Sequence, residues 1–500
     1  MGDNKRGGRR MKWGLRIGGV VLLVLVTSAL TALFVAQNRG LSAIIRAAAP
    51  QSGSAAVADL EEVELYPITA FAEKHAYDLG SQAYLWFYGR WRMILEEHDF
   101  VTEHGMEINE LLKYRDPPKA GEQIYVTPNL DVLNIVAFFD VAAEPQILTI
   151  PAMGGERYFT FMFVDAWHNL IANVSRQHYP IGDIRVALVG PGWTGALPDD
   201  VVRLDAPTNT IAMLGRIRVS PERSDDVKRA QGLLDEVQVS SLSTLTGAPK
   251  VESESVIPGR SYDLIDPNAR QSIGIFDNYQ EILKRNPPYG KDAVSADIFD
   301  EIIPGAGLQP NPLFMSGLRQ AAIDSQRMIK TAPFAGRLSG WRLTPAELST
   351  PDWSWMLRAS LMEYGILVNT KEESVYFTTT RDADQKSMTG GKSYEMHLAS
   401  PPPVNEFWSV TLYDMETAQL IENDWTEYRI GDNTPGLKYE PDGSLRLFMS
   451  PEPPADEAYR ANWIPNSKDT ATDLNIVMRI YGPTDAILDG RWMPENWREQ

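Results

Sequence analysis

The chain has no cysteine among its 500 residues. That absence removes disulfides, thiolate-ligated zinc and a cysteine nucleophile together. The standard catalytic signatures are missing too: there is no HExxH, no GxSxG and no glycine-rich dinucleotide fingerprint. "TGGKSY" contains Gly-Lys-Ser, but the first glycine of a phosphate loop would fall on Lys386, so the stretch reads as a turn. His98 and His104 lie near Asp99 and Glu103 at a spacing that fits no common metal site, so no metal centre is expected. No fixed-period repeat is present, and nothing in the sequence names a cofactor. Net positive charge is also lacking. The formal charge is -19, and a body that acidic repels phosphate backbones, which disfavours nucleic acid as a partner.

What is present begins with a basic N-terminus. Lys5, Arg6, Arg9, Arg10, Lys12 and Arg16 precede "IGGVVLLVLVTSALTALFVA", residues 17–36. A run of about 20 apolar residues suffices to span the hydrocarbon core, and the preceding charges place the N-terminus in the cytoplasm. The run exceeds the apolar core of a signal peptide, and no A-x-A site closes it. An uncleaved signal anchor is therefore expected over a cleaved signal peptide, and either places the body outside the cytoplasmic membrane. The expected organisation is a cytoplasmic basic segment at 1–16, a single transmembrane helix at 17–36 and a small-residue tether at 37–60.

Helical periodicity marks "FAEKHAYDLGSQAYLWFYGRWRMILEE", whose aromatic density predicts a buried helix. From Tyr125 to Arg218 short apolar runs alternate with Pro, Gly and Asn, the pattern of a β-sandwich or jelly roll. Ser220 and Pro221 predict the start of a helix that closes this unit, with Ser220 as N-cap. Residues 246–345 read as a mostly helical connector, and 346–500 return to strands after one more helix, with "PDGS" at 441–444 as a turn. The fold class is mainly β with helical segments (α+β). It comprises a helix plus a β-sandwich at 61–245, the connector, and a second β-sandwich at 346–500.

"RYFTFMFVDAWHNLIAN", residues 157–173, carries the first candidate site. Tyr158 to Val164 reads as a strand buried on both faces, and Asp165, Trp167, His168 and Asn169 follow at its end. Asp165 and His168 are the candidate catalytic pair, a carboxylate and an imidazole able to address one small molecule, with Trp167 as an apolar wall and Asn169 as an amide donor. The bland alternative is a turn in which Asp165 and Asn169 satisfy backbone donors while His168 lies partly exposed. Asn129 and Asp131, after Pro128, cap a turn into a strand or bind ligand. Arg157, Arg176, Arg216 and Arg218 either pair with Asp131 or Asp165 or converge as an anion pocket. Tyr394 and His397 should face opposite sides of one strand. Trp408, Tyr413, Trp463 and Tyr481 read as core aromatics with partnered polar tips, the alternative being an exposed platform for stacking a sugar.

"TPNLDVLNIVAFFDV", "GGERYFTFMFVDAWHN", "GPGWTG" and "APTNTIAMLGRIRV" resemble the DUF1254 family. "PPPVNEFWSVTLYD", "PGLKYEPDGSLRLFMS", "ANWIPNS" and "MRIYGPTDAILDGRWMP" resemble its companion, DUF1214. The resemblance implies two jelly-roll-type β modules joined through a helical segment, and it implies no reaction. The first motif of that family often reads Thr-Pro-Asn-Asn-Asp-Thr-Leu-Tyr. Here Leu130, Val132 and Asn134 stand in place of an amide, a hydroxyl and a phenol. The reading that follows is a membrane-tethered envelope protein, anchored by its N-terminal helix, that binds a small polar or anionic molecule, polyol- or carbohydrate-like, in a cleft of the first β module. Whether that molecule is turned over is left open. The competing class is an envelope scaffold for protein contacts.

Overall fold

Period-2 alternation in the sequence becomes two pairs of sheets. The computed structural model describes residues 68–122, 127–155, 157–179, 182–249, 275–276, 279–300, 312–331, 337–338, 340–343, 354–425 and 427–500. The expected span at 17–36, its flanks and the tether lie outside the described residues. Among the described residues no helix is long and apolar enough to cross a membrane.

In the first module strands β1 (Leu112–Tyr114), β2 (Val132–Asp140), β4 (Phe159–Asp165), β5 (Leu170–Ser175) and β8 (Thr210–Arg218) form a five-stranded sheet in the order β1-β2-β8-β4-β5. Strands β3 (Gln146–Ile150), β6 (Ile184–Val189), β7 (Val202–Asp205) and β9 (Gln238–Ser241) form a second sheet in the order β7-β6-β3-β9. One side-chain parity of β2, β4 and β8 (Leu133, Ile135, Phe161, Phe163, Met213) packs with Leu148, Val186 and Leu188 of the second sheet as one apolar core. The other parity (Val136, Phe138, Met162, Val164, Ala212) packs against helices. This double burial explains why β4 reads as continuously apolar instead of alternating.

Most of the long helices form a layer on that sheet: α1 (Ile68–Thr102), and later in the chain α3 (Tyr279–Arg285), α4 (Lys291–Phe299), α5 (Pro312–Thr331) and α6 (Trp355–Tyr364). Helix α2 (Ser224–Glu236) instead packs Ala230 and Leu234 on the core between the two sheets. Tyr84, Trp86 and Phe87 of α1 share a core with Tyr279, Phe299, Leu318 and Met362. Helices α1 and α5 approach closely: a Cβ on Gly317 would sit 2.1 Å from the Glu73 carbonyl oxygen. The helix after β8 starts later than the sequence predicts. Residue Ser220 is in a turn before it, and α2 begins at Ser224 with no side-chain cap. Its buried Asp226 instead receives the Ser220 backbone N–H at 2.8 Å, so the carboxylate anchors the turn from within the helix.

The second module repeats the two-sheet scheme. A six-stranded sheet runs β10 (Arg337–Leu338), β11 (Trp341–Leu343), β12 (Ser374–Thr379), β18 (Leu474–Pro483), β14 (Val404–Asp414), β15 (Arg429–Gly431). A four-stranded sheet runs β17 (Trp463–Pro465), β16 (Leu445–Ser450), β13 (Tyr394–Leu398), β19 (Arg498–Glu499). Trp408, Val410, Leu412, Ile476 and Met478 meet Met396, Leu445 and Leu447 between them. As the spacing predicts, Tyr394 points into this core and His397 is exposed. Residues Pro67–Gln500 form one compact unit. What joins the modules is the face of the six-stranded sheet turned away from its own core. Phe407 and Tyr481 on that face cluster with Val132 and Tyr158 of the first module, and Tyr413 and Val477 cluster with Leu130.

Candidate functional site

The end of β4 folds into a tight turn whose polar atoms address the chain itself. Asp165 Oδ1 accepts the backbone N–H groups of Trp167 and Asn169, each at 2.8 Å. Oδ2 accepts the Asn169 side-chain amide at 3.2 Å and the Tyr289 hydroxyl. Burial raises the Asp165 pKa, and these donors oppose the rise. His168 holds a left-handed backbone, φ +63°, and so does Leu367, φ +59°. The Leu367 N–H donates to His168 Nε2 at 3.0 Å, which fixes that nitrogen as unprotonated. His168 is 2% exposed, not partly exposed as a simple turn would leave it. Trp167 is fully buried against Trp86, with ring centroids 5.1 Å apart. The structure brings Asp165, Trp167, His168 and Asn169 together, but it commits the carboxylate to the turn and the imidazole Nε2 to the loop after α6.

Burial, with the nearby Arg358 charge, brings the His168 pKa down to about 4. Below its ordinary value near 6.5 the unfolded chain binds a proton that the folded chain refuses. The stability is complete above about pH 6.5 and drains as pH falls toward about 4, at up to roughly 1.4 kcal/mol per pH unit. Replacing His168 by Asn, which tolerates the left-handed backbone, should flatten that limb. Urea melts across the range check this, and an unchanged acid slope in the mutant would contradict it.

The four first-module arginines scatter. Arg157 pairs with Asp226 at 2.6 Å and donates to the Arg218 carbonyl at 2.5 Å, locking α2 to β8. Arg176 makes two contacts to Glu406 of the second module, at 2.8 and 2.9 Å. Arg218 pairs with Asp432 at 2.7 Å and lies over the Phe407 ring. None of them pairs with Asp131, whose partner is Arg429 of the second module, 2.7 Å away. Only Arg216 turns inward.

Arg216 belongs to a polar row across the helix-facing side of the first sheet. Tyr114 pairs with Asn134, Asn134 with Arg216, Arg216 with Thr160, and Thr160 with Ser175. Directly opposed residues share a face. On the second module's six-stranded sheet Tyr376 stands opposite Arg479, and Arg479 opposite Ser409. Ser374 stands opposite Tyr481. The two faces meet at a seam laced by hydrogen bonds. Asn129 donates to the Tyr481 hydroxyl at 2.5 Å, and the Ser409 hydroxyl donates to Asp131 at 2.5 Å. The Tyr413 hydroxyl donates to the Pro128 carbonyl at 2.6 Å, and Arg479 donates to the Thr127 carbonyl at 2.8 Å. Glu373 accepts the hydroxyls of Ser175 at 2.5 Å and Tyr158 at 3.2 Å, and burial raises its pKa.

Some polar atoms buried in and around this seam have no hydrogen-bond partner within the protein: Thr160 Oγ1, both side-chain polar atoms of Asn369, and Arg479 Nη1. Orphans also occur elsewhere among the described residues, at Arg90, Tyr279 and Trp497 for example; each calls for an explanation such as a water, an ion or a ligand. Beside the seam lies a cleft of about 950 Å³ lined by both modules, including Leu130, Glu222, Tyr428, Arg429 and Trp463. Arg429 connects the two, since it lines the cleft and pairs with Asp131.

Tyr376, Arg479, Ser409, Tyr481, Glu373 and Arg429 were not among the expected site residues. A signal for some of them was present. In "LNIVMRIYGP" an arginine interrupts an apolar strand, and in "FWSVTLY" hydroxyls recur on one parity at Ser409, Thr411 and Tyr413. Tyr413 and Tyr481 are buried with partnered tips, but at the seam, and Trp408 alone of the pair-bearing β14 and β18 aromatics enters the sandwich core. The three positions that depart from the resembled motif also sit here. Leu130 lines the cleft, Val132 packs on Tyr481, and Asn134 lies beside Arg216.

Comparison with known proteins gives a family and a fold. The model of DUF1254, a protein of unknown function, matches residues 108–241, and that of DUF1214, also of unknown function, matches 373–485. A crystal structure of the VPA0106 protein from Vibrio parahaemolyticus is similar at a TM-score of 0.67 with 22% identity, over 85% of this chain and 100% of that one. A putative uncharacterized protein from Burkholderia cenocepacia matches at a TM-score of 0.40 with 12% identity, over 86% of this chain and 94% of that one. No curated protein matches. With both family regions in their order along the chain, and the motifs of each supplying one wall of the seam, the chain belongs to the two-domain DUF1254/DUF1214 family.

Proposed function

We propose that the protein is a membrane-tethered envelope protein that binds a small anionic molecule at the seam between its two β modules. The observation that carries the reading is that two buried arginines, Arg216 from one module and Arg479 from the other, both act on the phenols of Tyr376 and Tyr481, beside buried polar atoms that lack partners. Guanidinium groups offer forked donors matched to carboxylate, sulfate or phosphate oxygens. The expected cleft of the first module thereby becomes a site shared by both modules. The tether rests on the apolar run 17–36 and the basic residues before it. An alkaline phosphatase fused after residue 60 should be active, and a silent one would overturn the topology.

Thr160→Val tests the binding site without disturbing the fold. The hydroxyl is buried and bonds to nothing in the protein, so its isosteric loss should leave the melting curve unchanged or slightly raised. A ligand that bonds to it should lose about 1 kcal/mol, roughly fivefold in Kd. Thermal-shift screening of small carboxylates, sulfates and phosphates against the wild-type and variant chains reads both effects. Equal stabilisation of the two chains by every active anion would place binding elsewhere.

A further inference from the structure

Tyr376 occupies a singular position in the seam. It stands directly opposite Arg479 on the neighbouring strand, and the Arg479 guanidinium carbon lies 5.7 Å from its ring centroid. Its hydroxyl is 3.4 Å from that of Tyr481. The charged and titratable groups that face it are Arg216 on β8, Arg479 and Tyr481 on β18, Tyr413 on β14 and Tyr158 before β4, and behind them Asp131 acts on Arg479 and Glu373 on Tyr158. Burial by itself makes each phenol harder to ionise, and Tyr158 and Tyr481 are pushed well above the ordinary phenol value. Tyr376 goes the other way. Burial raises it, but the Arg216 and Arg479 charges, with the contact to the Tyr481 hydroxyl, outweigh burial and hold it below the ordinary value. Arg479 is reciprocally held above the ordinary guanidinium value: burial works against its charge, and the Tyr413, Tyr481 and Tyr376 phenols more than offset that.

We propose that Tyr376 is the acid–base group of the seam: an anion seated against Arg216 and Arg479 binds with the Tyr376 phenol protonated, and the phenolate takes the anion's place when it leaves. The inference rests on the reading of the seam as an anion site. Two negative charges, phenolate and ligand, compete for the same pair of guanidinium groups. The phenol accommodates the ligand by taking up one proton on its oxygen, and no other bond is made or broken. In the loaded site the O–H is a donor to a ligand oxygen, and a group placed this way is able to hand a proton to a bound molecule or take one from it. Anion affinity then falls as pH rises through the titration of Tyr376, by at most about tenfold per pH unit.

Sulfate is a suitable probe, because it has no titration of its own in the relevant range. Wild-type protein, brought to an alkaline pH at which it shows tyrosinate absorbance and titrated with sulfate at constant ionic strength, should lose part of that near-ultraviolet absorbance. Calorimetry in buffers of different ionisation heat should register uptake of up to one proton per sulfate. Tyr376→Phe should bind sulfate with no absorbance change and with an affinity independent of pH across that range. The wild-type spectrum alone decides the matter if the variant does not fold. Sulfate binding with neither absorbance change nor proton uptake overturns the role of Tyr376 and leaves the anion site standing. Absence of sulfate binding at every pH overturns both.

Discussion

Arg429→Met is expected to destabilise the protein by about 3 to 5 kcal/mol, the usual cost of leaving one member of a buried ion pair without the other. The side chains of Arg429 and Asp131 are 2% and 1% exposed and lie 2.7 Å apart. Neither of the contacting atoms finds a hydrogen bond, so the contact works through charge. Arg429 also holds Glu222 at 2.6 Å and Asn433 at 2.5 Å, and Asp131 accepts the Ser409 hydroxyl. Removing the guanidinium therefore strands a carboxylate that burial has cut off from water. Asp131→Asn should cost less, because Glu222 still balances the cation at 2.6 Å. The double variant should be more stable than the sum of the two single losses, since neither charge remains. Urea unfolding of the four chains measures this. An Arg429→Met loss under about 1 kcal/mol would mean that the pair is solvated and that the seam opens to water.

Trp167→Ala should cost about 3 to 5 kcal/mol as well, through a different route. The indole fills the space between β4 and the helical layer, beside Trp86, and its N–H donates to the Asn286 carbonyl at 3.3 Å. Asn286 in turn bonds to Thr210 through both its side-chain atoms. The truncation opens a cavity and loosens the helix–sheet contact. Denaturant unfolding reads the loss, and a nearly neutral variant would show that the helices do not depend on this ring. Sulfate binding at the seam should persist in the folded fraction, because the indole is committed to the helical layer and not to the wall of the anion site.

Much of this architecture is legible in the sequence. Alternation marks the strands, and the continuous apolar run of β4 announces a strand covered on both faces. The turn of Asp165 and Asn169 is legible too, because short Asx side chains at a strand end seek nearby backbone donors. Pairings between modules are not. The parity of Arg216 states which side of its strand it occupies, but not that Arg479 and Tyr376 close over that side. The same limit hid the partner of Asp131: four arginines near it in sequence looked available, and a fifth from the other module took the place. The false N-cap at Ser220 has a local cause, since Ser-Pro-Glu suits a helix start and equally suits the turn that Asp226 holds from inside α2.

The central claim, an anion site formed jointly by Arg216 and Arg479, is tested most directly by diffraction from crystals soaked in selenate, with the ion located by its anomalous scattering. The account predicts a selenium peak within hydrogen-bonding reach of both guanidinium groups, on the side of the Tyr376 hydroxyl, that is absent from Arg479→Met crystals. Peaks confined to surface lysines and arginines, with the seam unchanged, would contradict it.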